Sequence, residues 1–83
     1  SIRDLVNLEI IVHDFQLGVK TREGEDRCVV SIEMGGQMKK FITNSDEMKN
    51  ILSQIGEMED GFPFETTIKA QSFGNGKTKY VFT

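Results

Sequence analysis

His13 and Asp14 are neighbouring side chains of the types used in acid–base chemistry, and His13 is the single histidine of the chain. A histidine beside a carboxylate serves as a general base only when it can reach the proton of a nucleophile, and no nucleophile lies near this pair in the sequence. We therefore interpret the pair as polar residues at a bend. The chain also has no phosphate loop, no Cys/His metal spacing and no catalytic carboxylate pair, so we expect neither enzymatic activity nor a cofactor.

The charged turn around Gly24 carries Glu23, Glu25 and Asp26. It lacks the regular ligand spacing and the closing bidentate glutamate of a calcium loop, so we expect no metal there. Cys28 is the single cysteine and cannot form an internal disulfide. We interpret it as a small core residue in a protein of a reducing compartment.

The charges are unevenly distributed along the 83 residues, whose formal net charge is −3. Residues 27–43 carry three basic side chains and one acidic one, and residues 66–83 carry three basic and none acidic. The acids concentrate in residues 1–26 and 44–65. A weakly acidic protein can therefore present a positive sheet face, although acidic loops can equally serve only for solvation.

One segment, Asn44–Gly56, has a helical period. Its apolar residues recur at the spacing of a single helix face: Met48, Ile51, Leu52 and Ile55. Asn44 or Ser45 is expected to cap its start, and Gly56 to end it in the left-handed conformation. A helix of about three turns is not stable alone in water, so this face must be buried.

The other segments show the patterns of strands and turns. Strands are expected at Leu8–Val19, Phe64–Phe73 and Lys77–Thr83, with a hairpin over Arg27–Thr43 and turns at Gly18–Asp26 and Gly74–Gly76. In the first strand, the apolar alternation changes phase at His13 and Asp14, which predicts a bulge or bend. A two-residue turn at Gly35 and Gly36 predicts the cross-strand pairs Ile32–Lys39, Val30–Phe41 and Cys28–Thr43.

The predicted order is therefore β-β-β-α-β-β in a single domain, residues 1–83. This is the plan of the OB-fold, a mainly β, five-stranded Greek-key barrel. The alternative is an open α+β sheet with the helix packed across one face. We find no signal peptide and no run long enough to span a bilayer, and so expect a cytoplasmic protein that makes no membrane contact.

Three stretches, FITNSDEM, FPFETTI and KYVFT, resemble those of small, uncharacterised proteins of bacterial phages and mobile elements. The resemblance covers about half of the chain and marks fold positions. It implies a phage-like context, in which small OB-type proteins bind single-stranded DNA. It supplies no functional residues.

Barrel geometry indicates where such binding would occur. OB-folds bind single strands on strands two and three, flanked by the loops that join strands one to two and four to five, with lysines along the backbone and aromatic rings under the bases. The residues here that fit this pattern are Lys20, Arg22, Arg27, Lys39, Lys40, Lys69, Phe73, Lys77 and Lys79. Phe73 is the expected stacking platform, whereas Tyr80 and Phe41 are expected in the core.

A protein-binding module is the alternative function, because the pI is near 5.0 and the chain lacks tryptophan. Such a module would bind a host or phage protein, or pair with itself through an exposed strand edge. The acidic residues of Glu57–Asp60 would suit a basic partner.

Overall fold

The computed structural model describes all 83 residues and contains five strands, one α-helix and a short 3-10 helix at Ile2–Leu5. The elements are β1 (Glu9–Thr21), β2 (Gly24–Met34), β3 (Gln37–Thr43), α1 (Asp46–Gly56), β4 (Phe64–Phe73) and β5 (Lys77–Phe82). This is the predicted order, mainly β with the helix between β3 and β4. No helix is long and apolar enough to cross a membrane.

The five strands form one antiparallel sheet in the order β3-β2-β1-β4-β5. Its central strand, β1, pairs with β4 through Glu9–Val12 and with β2 through Ile11–Thr21. Its ladder to β2 is irregular between Val12 and Asp14, which confirms the predicted phase change. A bulge adds bend and twist, so β1 can pair on both sides while the sheet curls into a half-barrel. No ladder joins β3 to β5, and these two strands are the edges of the sheet.

The β2–β3 hairpin has the predicted register. Val30 pairs with Phe41, Ile32 with Lys39, and the same alignment continues along both strands. The register is determined by the turn, where Gly35 and Gly36 have φ angles of 59° and 78°. Positive φ at both central positions is the requirement of a type I′ turn, which glycine meets without steric cost.

The predicted turn at Gly18–Asp26 was wrong in extent. β1 continues to Thr21 and β2 begins at Gly24, so only Arg22 and Glu23 lie between the strands. Gly18 and Asp26 have positive φ, and the ladder shifts register next to each of them. These irregular positions are accommodated within the hairpin as bulges, which is why the charged, glycine-containing sequence does not end the strands.

The core lies between the curled sheet and α1. Ten apolar side chains are buried in one cluster: Leu5, Ile10, Val12, Cys28, Val30, Ile32, Phe41, Met48, Leu52 and Ile68. Met48 and Leu52 are the fully buried part of the predicted helix stripe. The Ser45 hydroxyl caps the helix by accepting a hydrogen bond of 3.1 Å from the Met48 amide, and satisfies one of the free N–H groups of the first turn.

The helix ends at Gly56 as predicted, but the predicted left-handed conformation of Gly56 was wrong. The next residue, Glu57, caps the helix with a right-handed φ of −85° and an amide that donates to the carbonyls of Gln54 and Ile55. Gly56 allows a close approach instead, because a Cβ there would lie 3.3 Å from the ring of Phe15. Phe15 packs on Phe62 with ring centroids 5.9 Å apart, so the helix end rests on the aromatic lining of the half-barrel.

Candidate nucleic-acid interface

The β4–β5 hairpin brings four of the nine predicted site residues onto one face. Phe73 pairs with Lys77, Gln71 with Lys79 and Lys69 with Val81. Since side chains alternate along strands and register partners share a face, Lys69, Phe73, Lys77 and Lys79 all lie on the side opposite the buried Ile68. We call these four residues the hairpin face.

The hairpin face is positive and exposes an aromatic ring. Residues 66–83 contain no acidic side chain, and Phe73 remains 48% exposed beside the Gly74–Gly76 turn. Lys77 makes no ion pair or side-chain hydrogen bond. Lys69 donates a 3.0 Å hydrogen bond to the Asn7 side chain, and Lys79 lies 3.5 Å from a carboxylate oxygen of Glu47. Both contacts are exposed to solvent, where such pairs contribute little and can be exchanged for a phosphate.

Two of the three predicted residues of the β1–β2 hairpin contact its own acids or backbone. Lys20 lies 3.8 Å from Glu25 in an exposed ion pair. Arg27 is half-buried and donates a 2.6 Å hydrogen bond to the carbonyl of Glu23, with its guanidinium packed over Gly24. Arg22 is exposed in the turn and has no partner within the protein. Among the three, only Arg22 has neither a hydrogen-bond nor an ion-pair partner within the protein.

Lys39 and Lys40 are exposed on β3, but on opposite faces of it. Lys39 pairs with the buried Ile32 and belongs to the inner face, whereas Lys40 pairs with Ser31 and belongs to the outer face. The expected strip along β2 and β3 is therefore divided between two faces. On the outer face it also meets Glu33, the β2 partner of Met38.

The first turn of α1 lies between the β1–β2 hairpin and the β4–β5 hairpin. Its Lys49 donates a 2.9 Å hydrogen bond to the carbonyl of Asp26 on β2, and its Glu47 pairs with Lys79 on β5. The helix therefore links the β1–β2 hairpin to the hairpin face. It also adds two acids, Asp46 and Glu47, beside the lysines.

An acidic cleft limits the positive area. The cleft has a volume of about 370 Å³ and lies between the β2–β3 turn, β1 and β4; its charged lining is Glu9, Glu33 and Glu65. Ile11 pairs with Glu33 on one side and Glu65 on the other, which brings these two carboxylates near each other. The sequence contained no signal for this arrangement, because it depends on the register between β1 and β4. No three potential ligand side chains are arranged to hold a metal ion.

His13 does not contact Asp14 in the way the sequence suggests. Its Nε2 lies 3.0 Å from a carboxylate oxygen of Glu33 on the neighbouring strand, while Asp14 accepts a hydrogen bond from the Phe15 amide. His13 and Asp14 therefore bond different partners at the bulge. Cys28 is fully buried as predicted, and burial raises the pKa of its thiol, with Lys49 and a backbone hydrogen bond at Gln16 opposing that shift.

The family model that matches this chain describes a domain of unknown function, and the match covers residues 1–83. No curated protein and no solved structure matches it. Because the match spans the whole sequence, the chain belongs to this family, DUF8468.

Proposed function

We propose that this domain binds single-stranded DNA, without sequence preference, through the hairpin face. One observation carries the proposal: three lysines and an exposed phenylalanine share one face of the paired part of the β4–β5 hairpin, Ile68–Phe82, which has no acidic residue. Lysines can follow a phosphate backbone while an exposed ring stacks on a base, and both contacts tolerate any sequence. The acidic cleft would repel a polyanion and so confine the strand to the hairpin.

The topology supports an OB-type assignment within the same proposal. A bent first strand that pairs with β2 and β4, and a helix between β3 and β4, are features of that barrel. In this chain the barrel is open between β3 and β5. The buried, unpaired Cys28 fits a reducing compartment, so we propose the cytoplasm as the place of action.

The test is fluorescence anisotropy with labelled oligo-dT, measured across a salt series. If the three lysines contact phosphates, the logarithm of the affinity should fall with the logarithm of salt concentration with a slope of about −2. Phe73→Ala should weaken binding by about 5- to 150-fold, the equivalent of one lost stack of about 1–3 kcal/mol. Lys77→Ala should weaken binding and reduce the slope by roughly 0.7.

Two matched controls separate the hairpin face from general surface effects. Leu17→Ala removes another side chain that is 48% exposed, but on β1. Lys20→Ala removes one positive charge from the β1–β2 hairpin. Both should bind oligo-dT like the unmodified chain. Absence of binding at low salt, or equal losses in Phe73→Ala and Leu17→Ala, would contradict the proposal.

A further inference from the structure

The outer edge of β3 presents unpaired backbone groups. β3 pairs only with β2, and its type I′ turn makes Met34 and Gln37 a hydrogen-bonded pair. Because bonded and non-bonded pairs alternate in an antiparallel ladder, the amides and carbonyls of Met38, Lys40 and Ile42 point away from β2. No other hydrogen bond of the protein involves the backbone of residues 37–42.

This edge is also accessible over most of its length. Gln37, Met38, Lys39 and Lys40 are all exposed, and Met38 has 61% of its surface in solvent. Both edges become buried toward one end, but the exposed part of β3, Gln37–Lys40, is longer than that of β5, Lys77–Lys79. An exposed edge with free donors and acceptors is a template for a further strand.

The charges of β3 select the kind of strand that can pair there. Lys39 and Lys40 place one positive charge on each face, and neither has an acidic partner within the protein. A second copy of β3 would bring like charges together, which is unfavourable across a strand pair. An acidic strand would place carboxylates beside the lysines, and the Met38 side chain offers it an apolar contact.

We propose that the β3 edge binds an extended, acidic segment of another protein, which adds to the sheet as a sixth strand. Backbone hydrogen bonds to Met38, Lys40 and Ile42 would hold the segment, and the two lysines would select its charge. This surface is separate from the hairpin face, so its occupation does not depend on DNA binding.

The probe is a fluorescein-labelled peptide of eight residues, two adjacent glutamates flanked by valines and threonines, so that one carboxylate lies on each face of the added strand. It is titrated with the 83-residue chain and followed by anisotropy. Two control peptides are used. One has lysine in place of glutamate, and the other keeps the glutamates but is N-methylated along its backbone. Only the acidic peptide with free N–H groups should bind, and it should slow amide exchange of Met38, Lys40 and Ile42 in NMR spectra.

The double variant Lys39→Glu/Lys40→Glu should weaken binding by about tenfold or more, because two favourable cross-strand pairs become repulsive. Lys20→Glu/Arg22→Glu changes the net charge equally on the β1–β2 hairpin and should retain the affinity. Thermal melts confirm that both variants are folded. The proposal is overturned if the N-methylated peptide binds equally well, if the two variants lose affinity equally, or if the chain dimerises through β3 in sedimentation experiments.

Discussion

Replacing Gly61 with alanine should strongly destabilise the protein, because this residue lies against the last turn of α1. A Cβ at this position would overlap the carbonyl oxygen of Ile55 and lie 2.9 Å from its Cγ2. The Gly61 amide also donates a 3.3 Å hydrogen bond to the carbonyl of Met58, which holds the loop in place. This oxygen belongs to the helix backbone, so the overlap can be relieved only if the helix end or the loop shifts.

The size of the expected destabilisation follows from this steric overlap. Overpacking costs about 1–3 kcal/mol, and a clash with backbone belongs at the upper end of this range. A chain of this length is expected to have an unfolding free energy of about 4–12 kcal/mol, so Gly61→Ala should remove a large share of it. A loss of about 3 kcal/mol should lower the Tm by about 12–24 °C.

Gly18→Ala provides the matched comparison. Gly18 has a φ of 65° and nothing within 4 Å of its Cβ position, so alanine there meets conformational strain without a clash. That strain costs about 1–2 kcal/mol, and the reduced entropy of the unfolded chain offsets part of it. Urea denaturation followed by circular dichroism gives both free energies. If Gly61→Ala proves no more destabilising than Gly18→Ala, the steric argument is refuted.

Two further substitutions test the helix cap and the buried thiol. Ser45→Ala should cost about 1 kcal/mol in urea denaturation because it removes the cap of α1, whereas Ser53→Ala in the same helix should be neutral or slightly stabilising. For Cys28, the raised pKa in the folded state means that the unfolded chain loses its thiol proton first. The free energy of unfolding should therefore fall as pH rises above the ordinary thiol pKa of about 8.5. Cys28→Ala should lack this component of the decline. If the slope of stability against alkaline pH is the same in Cys28→Ala as in the unmodified chain, the prediction is contradicted.

The sequence was sufficient to predict the features governed by local rules. The glycine pair at Gly35 and Gly36 determines the hairpin register, and the phase change at His13 predicts the bulge of β1. The buried faces of α1 and β4 follow from periodicity alone, with Leu52 and Ile68 fully buried. Each of these features depends on residues close together in the chain.

The candidate site was less predictable because it depends on long-range register and on partners. The division of Lys39 and Lys40 between two faces follows from their adjacent positions on a strand. The sequence could not indicate that both would lie away from the hairpin face, or that Arg27 would bond its own turn. The sequence also could not indicate the roles of Gly56 and Gly61. Both resemble turn glycines in the sequence, but contacts with Phe15 and Ile55 explain them.

The ladder between β1 and β4 is short, so few backbone hydrogen bonds join β4 and β5 to the rest of the sheet. β4 pairs with β1 only from Phe64 to Thr67, and β5 pairs with no strand except β4. Strands β1, β2 and β3 are instead joined by consecutive hairpins, which form from contacts near in sequence and can therefore fold early. The distal part of the β4–β5 hairpin, where every residue from Lys69 to Lys79 is exposed, can then open as a local unit while the rest of the fold stays intact. Such an arm can adjust its angle to a ligand without unfolding the protein.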